Sequence, residues 1–311
     1  MTKANNKVAV IGAGIIGLYV AYKLQKKGCQ VTVFEKKRAV GSKPCSALIS
    51  ERIKESLPIS DNLYEKKVSS VLVHFRKKDI YLKVSPCFLH FDRQKLDEFV
   101  FELAKKEGVS FFFNKEMEDL PEGFDKIIIC SGALYRKEEK SFRLGVQYFV
   151  KKTLDNKQIE IWPFQGENYG FLWKIPKDKV IEYGGIGSVK DTLVRLRAFL
   201  RQEEIVFDQK NLKAALIPQG LCSSKDKNVF VLGDAAGLTK PTTGGGVIWG
   251  IKAADILIDN FSDFKKAEKE INRFFKLRVL KGKLAVRLGY FAGKYLFFLL
   301  PKKVKIDADL Y

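Results

Sequence analysis

"KVAVIGAGIIGLYVAYKLQKKGCQVTVFEKK", Lys7–Lys37, is the stretch on which the fold turns. Val8–Ile11 is a short apolar run, the pattern of a buried parallel strand. Ile15–Lys27 is helical in pattern, and Gly28 stands where a helix closes. Val31–Glu35 is a second apolar strand ending in an acid. Together they form a βαβ unit of about 30 residues. Between strand and helix lies Gly12-x-Gly14-x-x-Gly17. Gly12 permits the tight turn, Gly14 lets a pyrophosphate approach the backbone, and Gly17 lets helix and strand pack closely. The helix start offers N–H groups and a partial positive charge to phosphates. Glu35 can accept hydrogen bonds from the adenosine ribose, and an acid there disfavours a 2′-phosphate. Ile16 and Lys36 are expected beside the same ligand. The unit implies a bound dinucleotide, and alone it fits NAD and FAD equally.

A second stretch separates the two. "NVFVLGDAAGLTKPTTGGGV", Asn228–Val247, reads as a strand ending at Gly233-Asp234 and a turn opening onto a helix. Asp234 can reach the ribityl and pyrophosphate part of a flavin. Gly244, Gly245, Gly246 and Val247 present bare N–H groups, suited to the negative charge of a reduced flavin near N1 and O2. An NAD protein needs no such element, so the pair favours FAD. Arg93 opens the amphipathic run "DRQKLDEFVFELAKKEG", with Asp92 as expected N-cap and Gly108 as closing residue, and it suits a diphosphate. "KIIICSG" is a strand ending at Gly132, where a nucleotide can lie over the sheet edge.

The remaining pattern is strand-rich. "SSVLVHF" and "IYLKVS", joined by "RKKD", predict a hairpin. Residues 142–187 predict an antiparallel layer with many aromatics, 190–203 a helix, "AALIPQG" a strand, and the chain from Asp263 onward basic helix. The fold class is α/β: a Rossmann-like FAD-binding domain interleaved with an antiparallel β-sheet substrate domain, plus C-terminal helices. The expected division is 1–62, 91–133 and 215–262 for FAD, 63–90 and 134–214 for substrate, and 263–311 for the helical tail.

Composition narrows the chemistry. The 311 residues carry a formal net charge of +20 and five cysteines, at 29, 45, 87, 130 and 222. No Cys-x-x-Cys pair occurs, which argues against zinc and iron–sulfur clusters, and the odd number argues against a disulfide framework; no metal is expected, and the compartment is expected to be reducing. His74 and His90 sit in strand-like stretches and read as structural. The N-terminus lacks the small-residue cleavage site of a signal peptide, and no stretch reaches the ~20 apolar residues of a spanning helix. No nucleic-acid module is recognisable; the spread of charge suits anionic lipid or phosphorylated substrates, and equally a generally lysine-rich composition.

Taken in order, these stretches resemble the glutathione-reductase-type FAD fold of the aromatic-hydroxylase class, and in detail the geranylgeranyl reductase family. "GDAAGLTKPTTGGGV" is similar to that family's Gly-Asp-Ala-Ala-Gly…Pro…Thr-Gly-Gly-Gly-Ile block. "VGSKPCSALIS", Val40–Ser50, is similar to its loop with a cysteine close to the flavin, which places Cys45 and Ser46 at the cofactor. "FLWKIPK" resembles its Tyr-x-Trp-x-Phe-Pro block, with Phe171 for the tyrosine and Ile175 for the phenylalanine. The resemblance covers about residues 7–260. Many members have a longer C-terminal part, and often Cys-x-Gly where this chain has Cys45-Ser46-Ala47. It implies a reductase of carbon–carbon double bonds in isoprenoid chains, often of membrane lipids. Phe171, Trp173, Ile175 and Pro176 would line the substrate channel, and Trp173 and Cys45 would act in catalysis. A flavin monooxygenase on an apolar or aromatic substrate is the alternative; a non-redox flavoprotein scaffold is the third reading. No second nicotinamide fingerprint is present, so NAD(P)H and a ferredoxin both stand as electron donors.

In the tail, Leu277, Leu280, Leu284, Leu288, Phe291 and Tyr295 recur every three or four residues. Lys276, Lys283, Arg287 and Lys294 form a neighbouring stripe. The pattern suits an anionic bilayer surface and equally a helix packed on its own domain. The expected location is cytoplasmic, peripheral at the inner face of the cell membrane.

Overall fold

The computed structural model describes residues 6–41, 43–135, 138, 141–152, 158–177 and 179–309. The chain opens with the βαβ unit, β1 (Lys7–Ile11), α1 (Ile15–Lys26) and β2 (Gln30–Phe34). β1 and β2 pair in parallel, Val8 beside Val31 and Val10 beside Val33. β3 (Leu48–Ser50) and the one-turn α2 (Ile53–Ser56) lead to a long hairpin, β4 (Tyr64–Phe75) and β5 (Lys78–Phe91). Its turn is tighter than the expected "RKKD", because Lys78 and Asp79 already pair with Phe75 and His74. α3 (Arg93–Lys106) starts at Asp92, whose carboxylate accepts the N–H groups of Gln94 and Lys95. β6 (Ser110–Phe112) and β7 (Lys126–Ile129) follow.

Next come β8 (Ser141–Val150), β9 (Ile159–Gln165), β10 (Tyr169–Pro176), β11 (Ile181–Gly187), α4 (Val189–Gln202) and β12 (Leu212–Gln219). The chain then returns with β13 (Val229–Val231) and α5 (Val247–Asp259). α6 (Phe264–Tyr295) and β14 (Lys303–Ile306) close it.

β13, β7, β1, β2 and β6 form a parallel sheet in that order. Their near-continuous apolar runs reflect burial on both faces. One core joins this sheet to α1, α3, α5 and the start of α6, from Val10 and Leu18 to Trp249 and Phe275. The second sheet runs β12-β8-β11-β10-β9-β4-β5-β14, with β3 on β5. It departs from the antiparallel expectation in two parallel joins, β4 to β9 and β5 to β14. The expected all-helical tail is also corrected. In "KVKI" Val304 and Ile306 alternate with lysines, and this period-two pattern covers the open edge of β5.

Candidate functional site

The first glycine turn is closed from behind and open in front. A methyl group on Gly12 (φ +104°) would lie 2.5 Å from the Cys130 carbonyl oxygen, and one on Gly17 would overlap the Gly12 carbonyl. Around Gly14, nothing stands within 4 Å of that position. Gly14 is the N-cap of α1, with no side-chain cap and no acid in the first turn. An anion can therefore reach the helix N-terminus. At the end of β2, Glu35 lies at the mouth of the turn. Its Oε2 accepts the Ala13 N–H at 2.7 Å and its Oε1 the Lys37 N–H at 2.9 Å. Lys36 points away and pairs with Glu116 at 3.0 Å on the surface. Cys130 lies half-buried behind the turn, and burial pushes its thiol up to about 12. Gly132 follows at the end of β7 with open space around its Cα.

The second cradle packs directly on the first. A methyl group on Gly233 would lie 3.3 Å from Ile16, and one on Gly250 of α5 would lie 2.6 Å from the same side chain. Ile16 is thus the joint between the two glycine stretches. Gly246 is the N-cap of α5, again without a side-chain cap or a first-turn acid. Asp234 Oδ1 lies 3.1 Å from the methyl position of Gly246. Its Oδ2 accepts a hydrogen bond from Lys43 Nζ. Gly244 abuts Ile186 of β11 and Ile217 of β12, so this loop sits where the two sheets meet.

The cysteine loop folds over the same place. The Cys45 sulfur accepts the Ala47 N–H at 3.3 Å and is hydrogen-bonded to the Arg93 guanidinium. Ser46 lies beside it, and its backbone reaches buried His90. Arg93 does not lie free for a diphosphate: Nε donates to Asp97 at 2.8 Å, and both side chains are buried. Burial works against the arginine's charge, yet Asp97 and Cys45 hold its pKa above the ordinary value. Asp97 is shifted up, burial outweighing Arg93.

On β10, Phe171, Trp173 and Ile175 share one face, and Pro176 faces the other way. Trp173 lies over Gly184, its cross-strand partner, where any side chain would collide with the indole. Its Nε1 donates to Glu182 at 3.0 Å, and Glu182, fully buried, also accepts from Gln147 at 2.7 Å. Trp173 and Ile175 belong to an apolar cluster with Leu48 and Phe88, next to the cysteine loop. Phe171 pairs with Ile186, the residue against which Gly244 rests. The structure therefore brings Gly12, Gly14, Ile16, Gly17 and Glu35 together with Gly233, Asp234, Gly244, Gly245, Gly246 and Val247. It places Cys45 and the Trp173 strand near the second group, and Lys36 and Pro176 elsewhere.

Sequence reasoning missed three groups. Lys43 lies within the cysteine loop but the resemblance assigns it no role there, and only the fold brings it to Asp234. Glu182 is an acid inside the apolar run "VIEYGGIG", a signal of a partnered buried charge. The third is an ion-pair network behind the glycine loop. Lys240 Nζ donates to the Ala308 carbonyl at 2.8 Å and to Asp309 at 3.1 Å. Arg52 bridges Asp309 and Asp307, and Trp249 Nε1 donates to the Asp309 carbonyl at 2.8 Å. Pairs this far apart in sequence leave no local pattern.

The geometry agrees with what the chain resembles. Residues 7–64 match the FAD dependent oxidoreductase family. A digeranylgeranylglycerophospholipid reductase from Methanococcus vannielii is 24% identical over 315 residues, covering 86% of this chain and 80% of that protein. An uncharacterized protein from Methanosarcina barkeri is 22% identical, covering 94% and 84%. Among solved structures, a geranylgeranyl bacteriochlorophyll reductase-like protein from Thermoplasma acidophilum superposes with a TM-score of 0.75 at 19% identity, over 91% of this chain and 87% of its own. A flavin-dependent brominase gives 0.73 at 15%, over 94% and 88%. The cofactor is FAD. The protein is an FAD-dependent oxidoreductase related to geranylgeranyl reductases, with their fold. Two uncapped helix starts joined through Ile16, and a glycine turn left open at Gly14, fit an extended dinucleotide. Among the described residues no cluster of His, Cys, Asp or Glu could hold a metal, and no helix is long and apolar enough to cross a membrane.

Proposed function

We propose that the protein saturates carbon–carbon double bonds in geranylgeranyl chains of membrane lipids. FAD, when bound and reduced, supplies a hydride from N5. Gly14 and the start of α1 hold the pyrophosphate, and Glu35 orients the adenosine ribose. Asp234, the Gly244–Gly246 loop and the start of α5 hold the ring end, where their N–H groups favour negative charge. Lys43 keeps the cysteine loop against Asp234. Phe171, Trp173 and Ile175 line a dry wall for an apolar chain, with Glu182 fixing the indole. Arg93 acts through Cys45 rather than on a diphosphate. One hydride and one proton would add to each double bond, and NAD(P)H or a ferredoxin would supply the electrons for the next turnover. We divide the chain into 1–62, 91–133 and 215–262 for FAD and 63–90 and 134–214 for substrate, with β3 and part of β12 reaching from the first set into the second sheet, and we place its work in the cytoplasm at the inner face of the membrane.

The observation that supports this reading most is the convergence of three stretches: the cysteine loop tied to Asp234 through Lys43, the glycine loop resting on Ile186, and the Trp173 strand paired with Ile186. The test is anaerobic. The flavin is reduced chemically, and digeranylgeranylglycerophospholipid is added in detergent. Flavin reoxidation with a gain of two hydrogens per bond supports the reading. A flavin that stays reduced with this lipid and, once O2 is admitted, consumes it stoichiometrically while hydroxylating an apolar compound overturns it in favour of a monooxygenase.

A further inference from the structure

α6 is apolar on two opposite sides. Its inner side is committed. Phe264, Ala267, Ile271 and Phe275 join the core of the FAD-binding sheet. Further along, Gly293 is in contact with Phe75 of β4, and the Tyr290 hydroxyl donates to the Gly170 carbonyl of β10. The Tyr290 and Tyr169 rings lie 4.8 Å apart. The helix is thus anchored on the strand that carries Trp173.

Among the described residues its outer side has no partner. Leu277, Leu280, Leu284, Leu288, Phe291 and Tyr295 are 53–63% exposed. At 3.6 residues per turn these six fall within an arc of about 80°, roughly opposite Phe275, Gly282 and Gly293. Phe298 and Leu299, just beyond the helix, continue the exposed apolar strip. Exposed Lys276, Lys283, Arg287 and Lys294 occupy the adjoining arc. Between Ile271 and Ile306 there are ten lysines and arginines and no aspartate or glutamate.

Charge decides what covers this face. In a two-fold dimer the same patch would meet itself, setting Lys276, Lys283, Arg287 and Lys294 against their own copies, with no acid in this stretch to pair them. An anionic bilayer satisfies both halves of the pattern: acyl chains take the leucines, and headgroups take the lysines. We propose that the outer face of α6, from Leu277 to Leu299, is the surface by which the protein docks on an anionic membrane. With its other side on β10, the helix would hold the substrate sheet at the lipid surface. This purpose rests on the prenyl-lipid reading; the docking rests on α6 alone.

The test uses the FAD-loaded full chain and vesicles free of prenyl lipid. At low salt the protein floats with phosphatidylglycerol-containing vesicles at least ~10-fold better than with phosphatidylcholine alone, and high salt removes much of this preference. Joint Leu284→Glu and Leu288→Glu substitution lowers binding by ~10-fold or more. Both sites are exposed, so the flavin spectrum and melting temperature stay unchanged. A second variant, Lys276→Gln with Lys283→Gln and Arg287→Gln, loses the salt-sensitive part alone. Absence of flotation at low salt overturns the proposal. So does undiminished binding of the Leu→Glu variant, or a solution dimer that this variant splits. A protein that reduces lipid in detergent but never floats sinks the docking and spares the activity. A protein that floats but leaves prenyl lipid unchanged does the reverse.

Discussion

Gly17 has no room for a methyl group, because the Gly12 carbonyl occupies that position. Gly17→Ala should push α1 off the glycine turn, cost about 2 kcal/mol or more in stability, and yield protein depleted of flavin absorbance. The fingerprint made this residue legible, because its spacing has one mechanical meaning. His90 was legible only in part. Its place in a strand pointed to a structural role, but nothing local revealed its depth. Burial, with Lys177 and Lys66 nearby, pushes its pKa down to about 3, against the pull of the Glu65 carboxylate 2.9 Å from Nδ1 and of the Ser46 backbone. The folded state therefore keeps His90 neutral, while an unfolded histidine takes a proton below about 6.5. Its contribution is present in full above pH 6.5 and is lost as pH falls toward 3. Melting of wild type should show a slope from this group of up to about 1.4 kcal/mol per pH unit across that window. His90→Gln should flatten it; an unchanged slope contradicts this account of the site.

Among the elements, the βαβ unit, α3 and α5 were readable because periodicity and caps are local. β14 was not, because a four-residue strand has meaning only beside the edge it covers. The same holds for the network behind the glycine loop. Lys240 lies in that loop, Asp309 at the far end of the chain, and Arg52 beside α2. Together they tie β14 to the start of α5. Asp309→Ala leaves the buried Lys240 ammonium without its carboxylate, so it should cost about 3–5 kcal/mol, seen as a melting temperature lower by ~10 °C. Lys303→Ala, on the exposed side of β14, should change stability by less than ~0.5 kcal/mol. Equal effects of the two substitutions would show that the strap contributes nothing through its ion pairs.

For the whole molecule, the interleaving of two sheets follows from the chain leaving the parallel sheet after β2 and β7 and returning at β13. The sequence pattern indicated this, although not the parallel joins of the second sheet, which depend on which edges remain open. The consequence is that glycine turns from opposite ends of the chain meet at Ile16. The central claim is that they hold one FAD between them, its ring end facing the Trp173 strand. A crystal structure of the FAD-loaded protein tests this most directly. The account predicts pyrophosphate density at Gly14, with the adenosine ribose on Glu35 and the isoalloxazine against Gly244–Gly246 on the side of Trp173. Flavin density confined to one cradle, or a ring more than a side chain's length from Trp173, would contradict it.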